Sequence, residues 1–293
     1  MKPLSRNLQA AGLMAGAMAL FTANDTVIKQ LSTAVPIGEI LFVRGLMVTL
    51  CLAIVVRLQG QRLTRLARPH RMSWLRGVLE VGVTFCFLSA ISVMPLADAT
   101  ALFFSAPIIL TALAALILKE RVGPRRWAAI VIGFAGVLVI VGPGGDWTPA
   151  ALLALAAAFV SALRDIATRF IPPSEGSGTV ALVTAVVVTL GGLPTLPLGW
   201  VALDTAQLLA LAGCAVLIAG GYTCFVMAVR KGEIALIAPV RYVALPMAAI
   251  AGFVAFGAVP GPRMLLGTAI IAGSGLFIFF RERALARAAA TAS

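Results

Sequence analysis

Charge is scarce in this chain: Asp, Glu, Lys and Arg make up 12% of its 293 residues, against about 25% in an ordinary soluble domain. Apolar residues supply 61%, so a water-soluble fold would have too little polar surface. The natural unit of division is then the bilayer-crossing segment of about 20 residues, not the soluble domain. Histidine occurs once, and His70, in a basic loop beside Arg68 and Arg71, reads as solvated or headgroup-facing and not as a catalyst. The four cysteines, Cys51, Cys86, Cys214 and Cys224, lie inside apolar runs with no C-x-x-C spacing. They read as packing residues, and no metal is expected. Acidic side chains are few as well, 11 against 23 basic, for a net charge of +12. Such an excess can bind nucleic acid, but here the basic residues sit in short loops between apolar runs. That is a membrane-topology pattern, so neither a nucleic-acid partner nor a cofactor is expected.

What the chain does have is a series of apolar stretches bounded by charge, Pro or Gly, at about 8–31, 37–56, 73–94, 98–118, 127–142, 149–171, 178–200, 206–229, 234–257 and 262–280. Most approach the length needed to cross the hydrocarbon as helix; 127–142 is short and borrows flanking residues. The first could instead be a secretory signal, with Lys2 and Arg6 before it and Ala17-Met18-Ala19 as a cleavage site, but that would reverse the parity the loop charges support. With ten spans and both termini in the cytoplasm, one side holds Lys2, Arg6, Arg57, Arg62, Arg65, Arg68, Arg71, Arg76, Lys119, Arg121, Arg125 and Arg126, then Arg169, Arg230, Lys231, Arg281, Arg283 and Arg287. The other holds Arg263. This bias sets the orientation.

Sliding the second half under the first by 138 to 140 residues aligns local features in order. Asn24-Asp25-Thr26-Val27-Ile28-Lys29 meets Arg164-Asp165-Ile166-Ala167-Thr168-Arg169. Ala106-Pro107 meets Leu245-Pro246, Gly123-Pro124-Arg125 meets Gly261-Pro262-Arg263, and Ala135-Gly136-Val137-Leu138 meets Ser274-Gly275-Leu276-Phe277. Two repeats follow, 1–143 with spans one to five and 144–293 with spans six to ten. Five being odd, the second copy enters the membrane inverted. The expected fold is all-α, ten transmembrane helices as two inverted five-helix repeats around a central cavity, with a site between the halves near the midplane, exposed to each side in turn.

Ionisable residues inside spans are costly and therefore candidates for function: Asp25, Lys29, Arg44, Glu80, Arg164, Asp165 and Arg241. Asp25 with Lys29, and Asp165 with Arg169, are spaced for pairing one turn apart, as structural pairs or as part of a site. Glu80 either pairs with Arg76 or lies in an aqueous cavity, taking a substrate amine or a proton. Arg44 and Arg241 have no acid one turn away. Arg241, between Pro239 and Pro246, is placed to grip a carboxylate where missing donors loosen the helix. Among the aromatics Phe85, Phe87, Phe103, Phe104, Tyr222 and Phe225, core or lipid contact is the ordinary fate, though Tyr222, flanked by Gly220-Gly221, is expected to face protein. Gly12-x-x-x-Gly16 and Gly133-x-x-Gly136 read as close-packing helix faces.

With Asn24-Asp25-x-x-x-Lys29 in the first span, Ala106-Pro107 in a span ending Leu118-Lys119-Glu120-Arg121, and Gly133-Phe134-Ala135-Gly136-Val137 after it, nearly the whole chain resembles the drug/metabolite transporter superfamily. The match is to its bacterial ten-span branch built from two EamA-type repeats. Val259-Pro260 replaces the acidic residue usual at the end of the ninth span, which puts a helix-end contact in doubt. The resemblance implies an inner-membrane carrier of amino acids or comparable solutes, often outward, with a cavity lined by the first, third, fourth, sixth, eighth and ninth spans. The family also carries cofactors such as riboflavin and S-adenosylmethionine. Mixed cavity charge suits a zwitterionic or carboxylated small molecule. The expected substrate-binding residues are Asn24, Asp25, Arg44, Glu80, Phe103, Arg164, Asp165, Tyr222, Arg241 and Tyr242, with Asp25, Glu80 and Asp165 as proton-coupling candidates. Partners are the solute and the lipid bilayer; monomer and homodimer both stay open. Two other classes fit an apolar ten-span chain. A lipid-modifying membrane enzyme would need clustered acids or a His/Asp set at a membrane face, and the loops are short and basic. The other is a channel or a non-transporting membrane scaffold; a channel would show a filter motif or a polar stripe on one span, and the sequence has neither.

Overall fold

The computed structural model describes residues 3–58, 69–119, 123–142, 148–172, 174–231 and 239–292. Lys2, Arg62, Arg65, Arg68 and Arg121, on which part of the charge asymmetry rests, and the repeat boundary at 143/144 lie outside the described residues. In lipid, backbone groups must be satisfied within the segment, and the described regular structure is helical throughout. The spans are α1 (Pro3–Leu31), α2 (Ile37–Leu58), α3 (Arg71–Val93), a fourth in two pieces, α4 (Leu96–Phe103) and α5 (Ala106–Ile117), and α6 (Pro124–Val141). The second half has α7 (Pro149–Arg169), α8 (Ser177–Gly192) with a 3-10 extension over Leu193–Leu198, and α9 (Thr205–Lys231). A 3-10 turn over Pro239–Val243 then leads into α10 (Ala244–Phe256), and α11 (Pro262–Ala292) closes the series. Ten of these segments are long and apolar enough to cross a membrane.

Their ends carry local signals. Pro124, Pro149 and Pro262 begin α6, α7 and α11, where the missing N–H has no helical partner to lose. Thr148 Oγ1 accepts the Ala151 N–H at 3.2 Å to cap α7. His70 is partly exposed and also caps α3, its Nδ1 accepting the Met72 N–H at 3.3 Å.

The most extensive packing is α1 on α9, α3 on α7, α6 on α11 and α2 on α8. Exchanging each span with the one five places later turns α1·α9 into α7·α3 and returns the other two pairs to themselves. The broken fourth and ninth spans also meet, α4 on α10. This pattern is what a two-fold relation between the halves produces.

Two expectations need correction. The stretch 98–118 is not one helix: Pro107 has no N–H to donate and crowds the carbonyl four residues back, and the helix breaks at Phe104–Ser105. The Gly12-x-x-x-Gly16 face is not a close contact, since a Cβ at either glycine would meet nothing within 4 Å. The reading holds for Gly133 and Gly136, where a Cβ would press on Ile108 and Ser274, and on Ile270 and the Gly267 carbonyl.

Candidate functional site

Two clusters of charge lie in opposite halves of the bundle. The first is on the side where α1 ends and α2 begins. Asn24 Nδ2 donates to Asp25 Oδ1 at 2.9 Å, and Arg44 of α2 reaches Asn24 Oδ1 through Nη1 at a long 3.4 Å. Asp25 and Arg44 lie within electrostatic reach of each other. Cys214 of α9 closes the cluster, its Sγ 4.0 Å from the Asn24 carbonyl. Asn24 is 4% exposed and Arg44 6%, and Arg44 Nε has no hydrogen-bond partner among the described residues. The guanidinium thus keeps donor capacity in a dry place, where an unmet donor costs about 1–3 kcal/mol.

The second cluster lies toward the face where α3 begins and α7 ends. Arg164 stands between two carboxylates: Nη1 donates to Glu80 Oε2 at 2.9 Å, while Nε and Nη2 donate to Asp165 Oδ1 at 2.9 and 2.8 Å. Nη2 also donates to Ser161 Oγ at 3.0 Å. Side-chain exposure rises from 18% at Arg164 through 23% at Glu80 to 45% at Asp165. One cation between two acids leaves a net negative charge and spare carboxylate oxygens. Arg241, on the 3-10 turn before α10, is exposed and within electrostatic reach of Asp165 and Arg164. It lies over the Phe225 ring of α9, 5.6 Å from its centroid. Its N–H groups have no hydrogen-bond partner among the described residues.

Between these clusters are the two span breaks. Pro107 and Pro246 cannot donate to the carbonyls four residues earlier, those of Phe103 and Tyr242, which are equivalent at an offset of 139. Rings join the breaks to each other and to α3: Phe104 and Tyr242 lie 5.3 Å apart by centroid, and Phe103 lies 5.0 Å from Phe87 of α3. The Tyr242 hydroxyl is buried without a partner among the described residues, in the space that a Cβ at Gly275 would take.

The candidates therefore gather as Asn24, Asp25 and Arg44 in one group; Glu80, Arg164, Asp165 and Arg241 in another; and Phe103 and Tyr242 at the breaks. Tyr222 is exposed and joins none of them. The one-turn ion pairs do not form as spaced. Lys29 Nζ donates to the carbonyls of Ile91, at 2.6 Å, and Met94, at 2.9 Å, where carbonyls at the end of α3 lack helical partners. The Phe256 ring lies 5.3 Å from it. Asp165 takes Arg164, not Arg169. Glu80 likewise takes Arg164 while Arg76 donates to Thr184 Oγ1 at 2.6 Å. Ser161 and Cys214 were missed; Ser161, three residues before Arg164 on one helix face, carried the only sequence signal.

A family model described as the EamA-like transporter family matches residues 8–142. The chain is 27% identical to the S-adenosylmethionine uptake transporter of Rickettsia bellii, over 89% of this chain and 90% of that one. It is 30% identical to the riboflavin transporter of Vibrio cholerae, over 72% of each. It is also 26% identical to a pseudopaline exporter of Pseudomonas aeruginosa, over 90% of this chain and 94% of that one. A solved crystal structure shares the fold, with TM-score 0.63 and 20% identity over 94% of this chain and 97% of its own.

Proposed function

Because this chain belongs to the EamA-like transporter family of the drug/metabolite transporter superfamily, we propose that it carries a small zwitterionic or carboxylated metabolite across a bacterial inner membrane by alternating access. Both termini are cytoplasmic in this reading, residues 1–143 and 144–293 are the two repeats, and the chain performs no chemistry on its cargo. The observation that carries the cargo class is spare binding capacity of both signs in one region. Arg241 offers unengaged donors that fit a carboxylate in bidentate fashion. Glu80 and Asp165 keep acceptor oxygens that fit an ammonium group. Arg44 is a second anion-directed donor, exposed only when its end of the bundle opens. Asp25, Glu80 and Asp165 are the acids placed for proton coupling. The half-exposed Asp165 and the buried Arg44 support a carrier more open toward the face that holds the termini.

A second reading, a ring-bearing cofactor-like solute, is favoured by the aromatic pairs at the span breaks and the Phe225 ring under Arg241. S-adenosylmethionine, the solute of the Rickettsia relative, satisfies both, with an amino-acid head and an aromatic base. Uptake and counterflow of labelled S-adenosylmethionine, riboflavin and an amino-acid panel in proteoliposomes tests the proposal. Saturable counterflow of a solute with an amino-acid head is expected. Movement of riboflavin alone, or of nothing in the panel, overturns the cargo class.

A further inference from the structure

On the outer side of the α6·α11 pair, away from the charged clusters, runs a groove of about 440 Å³. Its walls are apolar and partly of small residues: Ala128 and Ile132 of α6 face Ile270, Gly273 and Phe277 of α11, and Arg125 closes one end. Ile132 and Phe277 are exposed, so in the membrane this groove is open to lipid.

The register of the pair shows what stands opposite Arg125. Gly133 faces Ser274 and Gly136 faces Ile270 in antiparallel fashion. About two turns from Gly133 back to the start of α6 lead to Arg125, and about two turns on from Ser274 lead to Arg281. Arg281 also continues the stripe of Ile270, Ser274 and Phe277 at helical spacing. Arg125 therefore lines the mouth, and the register brings Arg281 of the other wall to the same end, just beyond the lining residues. Neither has a hydrogen bond or ion pair among the described residues.

An apolar slot ending between two guanidinium groups has the charge and shape of a phospholipid, with an acyl chain along the slot and a phosphate at the mouth. We infer that the α6·α11 groove binds an anionic phospholipid, its phosphate held between Arg125 and Arg281. Because this needs only a membrane-spanning chain, it stands or falls separately from the cargo.

Purified protein is reconstituted in nanodiscs of phosphatidylcholine with graded phosphatidylglycerol, and retained lipid is counted by native mass spectrometry, with thermal midpoint as a second readout. Phosphatidylglycerol should be retained over phosphatidylcholine and should raise the midpoint, while inorganic phosphate alone should not. R125Q should weaken that preference about fivefold, and R125Q/R281Q should abolish it. Gly273→Leu should displace lipid of either headgroup; a Cβ there meets nothing within 4 Å, so the variant fills the groove without disturbing the helix pair. Unchanged preference in R125Q/R281Q, or unchanged retention in Gly273→Leu, overturns the inference. So does stabilisation by free phosphate equal to that by the lipid.

Discussion

In α1 the carboxylate of Asp25, itself partly exposed, lies beside Asn24, Arg44 and Cys214, which are buried. In α7 the carboxylate of Asp165, at the corresponding position, is close to half exposed beside Arg164 and Glu80. The two clusters use the same elements, an acid, a guanidinium and a small polar neighbour. They differ in where the guanidinium comes from. In α7 it precedes the acid in the chain, as Arg164; in α1 that position is Asn24, and the arginine is delivered by α2. They differ also in the burial of the arginine, 6% exposed at Arg44 against 18% for the Arg164 side chain. In the carrier proposed above, sites related by a two-fold would be alike on average over the cycle, and such a difference is what a state with one end more closed predicts.

Removing a counter-charge breaks this comparison most severely. Arg44→Leu removes the buried guanidinium beside the partly exposed Asp25, and the loss should stay below the roughly 3–5 kcal/mol of a fully buried pair, read as a fall in the thermal midpoint in detergent. Arg164→Leu leaves Glu80 and Asp165 where water reaches them, so its cost should be closer to about 1 kcal/mol. Equal falls in the two variants would show that both clusters are equally dry.

Accessibility sharpens the same contrast with a smaller effect. In a background with the four native cysteines replaced, Asp165→Cys should react with a membrane-impermeant maleimide about tenfold faster than Asp25→Cys, and from the face that carries the termini. A transported solute should narrow the ratio as it drives the carrier through its other state. A ratio that solute leaves fixed would mean that the clusters do not exchange exposure.

The number of spans and their approximate bounds were legible in the sequence, because bilayer thickness writes a fixed length of apolar run into it. The charged residues were legible for the same reason, since each is an exception in an apolar run. Their partners were not. One-turn spacing suggested Lys29 for Asp25 and Arg169 for Asp165, but a lysine near a helix end is drawn to unpaired carbonyls, and Lys29 reaches those of Ile91 and Met94. The Glu80–Arg164 bridge joins residues 84 apart in the chain, set by the α3·α7 packing that no local window contains. Gly12 and Gly16 had the spacing of a packing face, but a glycine pair makes a contact only where another helix comes down on it.

The smallest test concerns the polar neighbours. Ser161→Ala removes one acceptor from Arg164 Nη2, which keeps its bond to Asp165 Oδ1, so the loss should lie at the low end of about 0.5–1.5 kcal/mol. Asn24→Ala removes both the acceptor of Arg44 and the donor to Asp25, and because Asn24 and Arg44 are themselves buried it should cost about 1–3 kcal/mol. Denaturation of the two variants in the same detergent measures the difference. A hydrogen bond lost beside water is largely replaced, whereas one lost in a sealed cluster is not. Should Ser161→Ala prove as damaging as Asn24→Ala, the water seen by Asp165 does not reach Arg164, and the open end of the carrier stops one residue short of its central charge.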